Sequence, residues 1–360
     1  MINITPVALI GFGLSGRCFH APFLKVHPGF EVKKVMQKTG SDALGFFPDA
    51  VLVRSIDEIA KDPDIDLAVI TVPNVYHFPY GKALLEGGKN IVMEKPFAPH
   101  SGEVKQLAEL AAGHRLKIFP YHNRRWDADF LTIRKILSSG MLGRIEYYEA
   151  HFDRYAPERQ RAFWRDEPLP GSGVLYDLGP HLIDQALVLF GPPEAVKADI
   201  RREREGSEVD DYFRLQLRYP DKEVVLRAGM LVVEPGPRYI IHGERGSLIK
   251  YGIDPQEEKL RNGALPDEEG WGEEPPELWP LITIDWDDLQ FDGRIESVSG
   301  NYMAFYDNVY DSLHGKAEPA VNWTDAWLTI RIIELAFESV VAGKVWRKLE
   351  KSSISFQYSN

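Results

Sequence analysis

A single cysteine, Cys18, in 360 residues leaves no partner for an internal disulfide or a multi-cysteine metal centre, and predicts a reducing, cytoplasmic setting. No apolar run approaches the ~18 residues of a membrane-spanning helix, because charges or prolines interrupt each one. The apolar stretch ending at Ile10 is too short for the core of a secretory signal and lacks basic flanks, so export is not expected. An excess of basic residues is also missing: 42 Lys and Arg stand against 54 Asp and Glu, a formal charge of −12. Nucleic acid is therefore not an expected partner. Nine of those acids and only two of the bases fall between Asp254 and Pro280, together with five prolines. That segment reads as a solvated loop. There is no internal repeat, and His20, His27, His151 and Asp153 lack metal-ligand spacing, so no metal is expected.

What is present is an ordinary globular composition, 44% hydrophobic and 27% charged, in a chain long enough for two domains at ~150 residues each. Short apolar runs at Val7–Ile10, Val32–Met36, Leu67–Val72, Ile91–Met93 and Ile118–Phe119 alternate with helix-like stretches. That is the pattern of a parallel sheet covered on both faces, hence an α/β first domain over residues 1–124. Between the last two runs, Ser101 is expected to cap a helix that Gly113 closes. From residue 125 to 360 longer alternating strands follow, such as Phe213, Leu215 and Leu217 against Arg214, Gln216 and Arg218. They predict an α+β second domain with a large, open, mostly antiparallel sheet. A helix-like stretch from Thr324 to Ala342 can pack back onto the first domain.

Gly11-Phe12-Gly13-Leu14-Ser15-Gly16 stands directly after the first apolar run and before a helix. In that context Gly11 permits a tight turn, Gly13 lets backbone approach a pyrophosphate, and Gly16 lets helix and strand pack closely. A dinucleotide is the expected ligand. At the end of the second strand an acid would bind the ribose 2′-hydroxyl of NAD; here stand Gln37, Lys38 and Thr39. With no acid to repel a 2′-phosphate and Lys38 able to pair with it, the sequence predicts NADP in preference to NAD, although Lys38 also fits a plain surface residue.

Glu94-Lys95-Pro96 follows the Ile91–Met93 run, at the carboxyl end of a strand where ligands bind in open α/β sheets. Tyr176-Asp177-Leu178-Gly179-Pro180-His181 opens a helix with Pro180 in its first turn. Asp177 and His181, four residues apart, allow a carboxylate to orient an imidazole. The helix start favours the neutral ring, which can accept a proton. On spacing alone, a capping Asp177 and a satisfied polar His181 fit equally well. His122-Asn123-Arg124-Arg125 offers donors for hydroxyls or phosphates, or partners for salt bridges. Ser172, between Gly171 and Gly173, lacks the strand-to-helix elbow of a hydrolase and is not read as a nucleophile.

Taken together, Gly11–Gly16, Glu94-Lys95-Pro96 and Asp177-x-x-x-His181 resemble the glucose–fructose oxidoreductase, inositol dehydrogenase and rhizopine-catabolism (Gfo/Idh/MocA) family, over the whole chain. Phe19-His20-Ala21-Pro22, His122–Asp127, Tyr176–His181, Tyr239–Gly243 and Lys250–Glu257 resemble its branch with NADP-dependent scyllo-inositol dehydrogenase. The resemblance implies a Rossmann domain followed by the open-sheet domain, and oxidation of a secondary alcohol of a cyclic polyol or sugar. It implies that Lys95 lies beside the nicotinamide and the reacting oxygen, that His181 takes the hydroxyl proton, and that Asp177 supports the step, the three meeting at the nicotinamide. It implies cofactor contacts from Gly11, Phe12, Gly13, Leu14, Ser15, Gly16, Pro73, Asn74, His77, Glu94 and Lys95, and substrate contacts from Asn123, Arg124 and Trp164; Gln37-Lys38-Thr39 departs from the small hydroxylated residues and arginine of the branch, so Lys38 stands as a cofactor residue on its position alone. It also implies a cis Lys95–Pro96 peptide and a homodimer or homotetramer formed through the exposed face of the second sheet. NAD-assisted glycoside hydrolysis and a dinucleotide sensor are the rival activities, and retention of Lys95, Asp177 and His181 argues against the sensor.

Overall fold

The computed structural model describes residues 3–158 and 166–350. The chain divides into two compact units, one of Met1–Trp126, Pro255–Trp271 and Asn301–Trp327, the other of Asp127–Asp254, Gly272–Gly300 and Leu328–Asn360. The division expected from the sequence, after residue 124, is continuous along the chain. The compact units are not, because two later segments return to the first.

The first unit is built on six parallel strands: β1 (Thr5–Ile10), β2 (Phe30–Met36), β3 (Val51–Val53), β4 (Leu67–Ile70), β5 (Asn90–Met93) and β6 (Ile118–Pro120). Their order, β3-β2-β1-β4-β5-β6, is that of a doubly wound dinucleotide-binding sheet. Val7, Leu9, Leu67, Val69, Ile91 and Val92 are fully buried, as covered parallel strands require. β3 has only three residues, with Val51 exposed, and so carries no period for the sequence to reveal. The helix Ser101–His114 takes His100 as its N-cap, with no side-chain cap bond. It runs past Gly113, and Arg115 adopts the left-handed turn beyond it, at φ 57°. Ser101 is therefore a first-turn residue rather than the cap.

The acidic segment after Asp254 is not a plain solvated loop. It contains the helix Gln256–Arg261, and Leu260 and Trp271 pack into the first-unit core. Fully buried Gln256 satisfies its amide there: its oxygen accepts from the Trp271 indole at 2.9 Å and the Tyr302 N–H at 2.8 Å, and its nitrogen donates to the Trp126 carbonyl. The helix Met303–Leu313 lays Phe305, Tyr306 and Val309 against Phe23, Phe30 and Tyr121. Tyr306 stacks on Phe23 at 5.9 Å and meets Phe30 edge-on at 5.8 Å.

The second unit carries a nine-stranded sheet of β7 (Ile145–His151), β8 (Ala195–Arg201), β9 (Tyr212–Arg218), β10 (Glu223–Gly229), β11 (Tyr239–Gly243), β12 (Gly246–Lys250), β13 (Leu281–Trp286), β14 (Leu289–Arg294) and β15 (Arg347–Lys348). The order is β14-β13-β12-β11-β7-β10-β9-β8-β15. Every pair is antiparallel except β7 with β10, in line with the mostly antiparallel sheet expected. Phe213, Leu215 and Leu217 of β9 are buried on one face, and Arg214, Gln216 and Arg218 stand on the other. The helix Gly179–Phe190 packs on β10 and buries Leu182, Ile183 and Ala186. The last helix, Trp323–Val341, contributes residues up to Trp327 to the first unit and the remainder to the second. Among the described residues no helix is long and apolar enough to cross a membrane.

One ion pair of this unit is wholly enclosed. Lys250 and Glu274, both with fully buried side chains, lie 2.8 Å apart, and the ammonium also donates to the Tyr251 carbonyl. Burial raises the Glu274 carboxyl above its ordinary value, against the opposing pull of Lys250. Removing one partner from such a pair strands the other charge, whereas replacing both with apolar groups does not. Lys250→Met should cost about 3–5 kcal/mol in denaturant unfolding, and the double variant Lys250→Met/Glu274→Leu should recover most of it. Equal losses in the two proteins would show that the pair itself supplies the stability.

Candidate functional site

β1 ends at Ile10, and the chain turns at Gly11, whose φ is 95°. A methyl on Gly11 would come within 2.8 Å of the Thr71 carbonyl, and one on Gly16 within 2.5 Å of the Gly11 carbonyl. At Gly13 nothing lies within 4 Å of where a methyl would stand. Two glycines thus close the turn against β4, and the third leaves the space a pyrophosphate needs beside backbone N–H groups. The residues present fit a dinucleotide.

Gly11, Phe12, Gly13, Lys38 and Pro73 line one cavity of about 400 Å3 together with Gln37, Thr39, Asp42, Tyr76 and Tyr80. Lys38 holds its ammonium 4.1 Å from the centre of the Tyr76 ring, and hydrogen bonding with Tyr76 raises its pKa. The Tyr76 and Tyr80 rings are 5.4 Å apart. The loop after β2 is fixed from outside the cavity, where Arg54 donates to the Gln37 and Gly40 carbonyls, both at 2.8 Å. Tyr76, Tyr80 and Asp42 escape a sequence reading confined to the strand end. The spacing of the two tyrosines, four residues apart at the start of the helix His77–Glu86, is the signal that identifies them.

At the end of β5, Glu94 accepts hydrogen bonds on both carboxylate oxygens. Oε1 accepts from the Ser15 hydroxyl and lies 3.1 Å from His20 Nε2, and Oε2 accepts from the Lys95 N–H at 2.9 Å. Burial pushes the Glu94 carboxyl up, but hydrogen bonds from His20 and Ser15 and the charge of Lys95 outweigh it and hold the pKa at about 2. The Lys95–Pro96 peptide is cis, as the resemblance implies. Asn74 is buried, and His77 is completely so. Both ring nitrogens of His77 face backbone carbonyls, Nδ1 that of Pro96 at 2.8 Å and Nε2 that of Val72 at 2.9 Å. Burial depresses its pKa despite those carbonyls. His77 thus sits between the lysine turn and the Pro73 turn, and its neutral ring donates to one of the two carbonyls. Leu14, in the glycine loop, is 39% exposed. Asn123 and Arg124 are buried in the first unit, where Arg124 pairs with Glu257. That guanidinium, joined by Arg261, holds the Glu257 carboxyl at about 2 against burial. Trp164 lies outside the described residues.

In the second unit, Asp177 ends the short helix Val174–Asp177, and His181 stands in the first turn of Gly179–Phe190, whose N-cap is Leu178 with no side-chain cap bond. Asp177 is half-buried and His181 buried, its ring 6.2 Å from Phe152 in an edge contact. The second helix is tied to the sheet through Gln185, which accepts from the Tyr239 hydroxyl at 2.8 Å. The first helix is anchored by Asp210, whose carboxylate accepts from the Leu175 N–H at 2.7 Å and whose carbonyl accepts from the Val174 N–H. Gly173, at φ 91°, is required there, since a methyl would lie 2.1 Å from Asp210 Oδ1. Asp210 was missed by the sequence reading; the Asp210-Asp211 pair just ahead of β9 is the feature that could have drawn notice. Among the described residues no group of three or more His, Cys, Asp or Glu side chains is placed to hold a metal ion.

Residues 5–122 match the family model described as oxidoreductase family, NAD-binding Rossmann fold, and residues 134–349 match that of the oxidoreductase family C-terminal alpha/beta domain. The chain is 41% identical over 339 residues to scyllo-inositol 2-dehydrogenase (NADP(+)) IolW of Bacillus subtilis, covering 94% of each chain. It is 40% identical over 333 residues to the oxidoreductase YdgJ of Escherichia coli, covering 92% of this chain and 95% of the other. A solved structure of YvaA from Bacillus subtilis superposes with a TM-score of 0.94 at 40% identity, over 97% of this chain and 99% of that one.

Burial raises the Asp210 carboxyl to about 6, with the Asp211 charge adding to it and the Leu175 N–H opposing it. A folded pKa above the unfolded value of about 3.9 means that stability from this group is complete below pH ~4 and is lost as pH rises through 6. Asp210→Asn keeps an acceptor for Leu175 and removes the titration. The melting temperature of the variant relative to wild type should therefore climb between pH 4 and 7. A difference that stays constant across that range would show that the carboxyl titrates normally.

Proposed function

Because the chain belongs to the Gfo/Idh/MocA oxidoreductase family, we propose that it is an NADP-preferring dehydrogenase that oxidises a secondary alcohol of a cyclic polyol or sugar, with an inositol as the first substrate to test. The observation that carries this reading is 41% identity along nearly the full length to an NADP-dependent inositol dehydrogenase in a chain that keeps Lys95, Asp177 and His181. The lone cysteine, free and buried, supports a cytoplasmic, reducing setting.

When bound, the dinucleotide supplies the two-electron acceptor for the carbon-bound hydride. The residues of the chain supply the rest. His181 accepts the hydroxyl proton as the carbon is oxidised, Lys95 donates a hydrogen bond to the same oxygen as negative charge builds on it, and Asp177 orients the two. Glu94, kept ionised, fixes the backbone from which Lys95 projects. Asn123 and Arg124 are assigned to the substrate side, and Trp164 with them. Lys38, just after β2, where no acid ends the strand, and with its ammonium held over Tyr76, receives the 2′-phosphate. Asn74 is assigned to the nicotinamide side, with Pro73 shaping the turn beside it.

A screen of cofactor reduction with inositols, hexoses, their acids and diols tests the substrate class; free sugar released without net reduction would replace the dehydrogenase reading by hydrolysis. On an active alcohol, His181→Ala should lower turnover about 10²–10⁴-fold with cofactor affinity nearly unchanged, and Lys95→Ala should be at least as damaging. Near wild-type turnover in His181→Ala would reject the base assignment. In the same titrations Lys38→Ala should weaken NADP more than NAD, and equal losses would remove Lys38 from phosphate recognition.

We further infer a homodimer or homotetramer formed through the outer face of the nine-stranded sheet, where Glu149, Arg214, Gln216, Ile240 and Ile249 are only partly covered. Ile240 and Ile249 pair across adjacent strands, and contiguous apolar side chains on an open face mark an interaction surface. The expected mass at micromolar concentration is two or four chains, and a monomer would overturn this assignment.

A further inference from the structure

Phe19-His20-Ala21-Pro22 is a motif to which the proposed reaction gives no task. The segment after the glycine loop opens as a π-helix over Gly16–His20, closed by the Ala21 N–H on the Gly16 carbonyl, and becomes α-helical over Ala21–Val26. In an α-helix of ~3.6 residues per turn, residues five apart face about 140° away from each other. The wider i→i+5 turn brings them to one side, and such turns occur often at functional sites. Here the consequence is that Ser15 and His20 reach the same atom, Glu94 Oε1.

Behind the imidazole the arrangement continues. Tyr306 places its hydroxyl 2.6 Å from His20 Nδ1, and the Tyr121 ring lies 4.1 Å from the His20 ring, with its own hydroxyl donating to the Phe19 carbonyl at 2.7 Å. His20 and Tyr306 are both completely buried. A carboxylate can only accept, so Nε2 carries the proton towards Glu94, and Nδ1 accepts from the Tyr306 hydroxyl; this tautomer is assigned from the network. Burial raises the Tyr306 phenol well above its ordinary value, with the Glu94 charge adding to it, so the hydroxyl keeps the proton it donates. The chain of bonds therefore runs from Tyr306 through His20 to Glu94. There it divides, to the Ser15 hydroxyl in the glycine loop and to the backbone N–H of Lys95.

We propose that His20 and Tyr306 are positioning residues of the dinucleotide site: through Glu94 they join the glycine loop to the lysine turn as one body, so that the segment holding the pyrophosphate and the segment bearing Lys95 keep a fixed separation. This rests on the reading that both segments serve a bound dinucleotide. A hydrogen bond to a charged group is worth about 1.5–3 kcal/mol. Without its histidine donor, the buried Glu94 carboxylate must recruit water or turn away, and either change loosens Ser15 and the Lys95 backbone together.

The test is NADPH binding followed by nicotinamide fluorescence in His20→Leu, His20→Gln and Tyr306→Phe, with no alcohol present and with the melting temperature of each protein measured. The amide nitrogen of Gln stands where imidazole Nε2 stood, so it can restore the donor to Glu94. His20→Leu should raise the dissociation constant about tenfold or more, His20→Gln should recover most of that loss, and Tyr306→Phe should raise it about threefold. On an active alcohol, His20→Leu should lower kcat while the KM for the alcohol stays within about twofold. Wild-type affinity in His20→Leu, or equal losses in the Leu and Gln variants, would overturn the proposal by leaving His20 a packing residue only. If His20→Leu does not fold, unchanged affinity in Tyr306→Phe overturns it alone. Failure to oxidise any polyol would defeat the substrate reading and leave these titrations to stand or fall by themselves.

Discussion

The parallel pairing of β1 with β4, Ile10 opposite Ile70, is the constraint from which the first unit's site follows. It sets Thr71 beside Gly11, where the Thr71 N–H and hydroxyl donate to the Ile10 carbonyl at 2.8 and 3.0 Å. So close an approach leaves no room for a side chain at Gly11 or Gly16. Because strand order reverses at this pair, the crossing chains part beyond it and open the cavity that the glycine loop, Lys38 and Pro73 share. β5 then lies next to β4, which brings Glu94 within reach of Ser15. One register decides where phosphate, ribose and lysine segments stand.

Much of this was legible in the residues because each signal was local. The apolar runs gave five of the six strands within a few residues, and Gly11, Gly13 and Gly16 announced the turn by their spacing. Lys95 before a proline at a strand end could be placed without knowing the rest of the fold. What escaped depends on chain segments far apart in sequence. No periodicity tells Gln256 that it will satisfy Tyr302 and Trp271, so an acidic, proline-rich stretch looked like solvent-exposed chain. The helix Met303–Leu313 has an apolar face of the usual kind, but nothing in it says which unit it covers. His77 and His20 were seen as residues, yet their partners are carbonyls and a carboxylate that only folding brings to them.

In the second unit the side chains of interest sit on helices held by buried polar groups rather than by apolar packing alone. Arg238 lies over Phe152 at 3.7 Å and reaches Gln185 with its guanidinium and Asp129 at 3.8 Å. Phe152 in turn touches His181. Polar groups in such surroundings must keep their partners, which limits how far the helix Gly179–Phe190 can shift or rotate on the sheet. The same restraint fixes where the His181 ring stands, the residue proposed above as the proton acceptor, and hydrogen-bond reach is lost over a fraction of an ångström.

The return of residues 301–327 to the first unit governs how the chain can be made. The core around Phe23, Phe30 and Tyr121 is finished by Tyr302, Phe305, Tyr306, Val309 and Val321, which leave the ribosome roughly three hundred residues after the first strand. Until then an aromatic surface waits uncovered on a sheet whose strands are already present. The part synthesised first is thus among the last to be completed. A fragment ending at Trp126 would carry every residue of the glycine loop and still lack the tyrosine behind His20, so the nucleotide-binding half is separable in the alignment of its sequence but not in the physics of its fold.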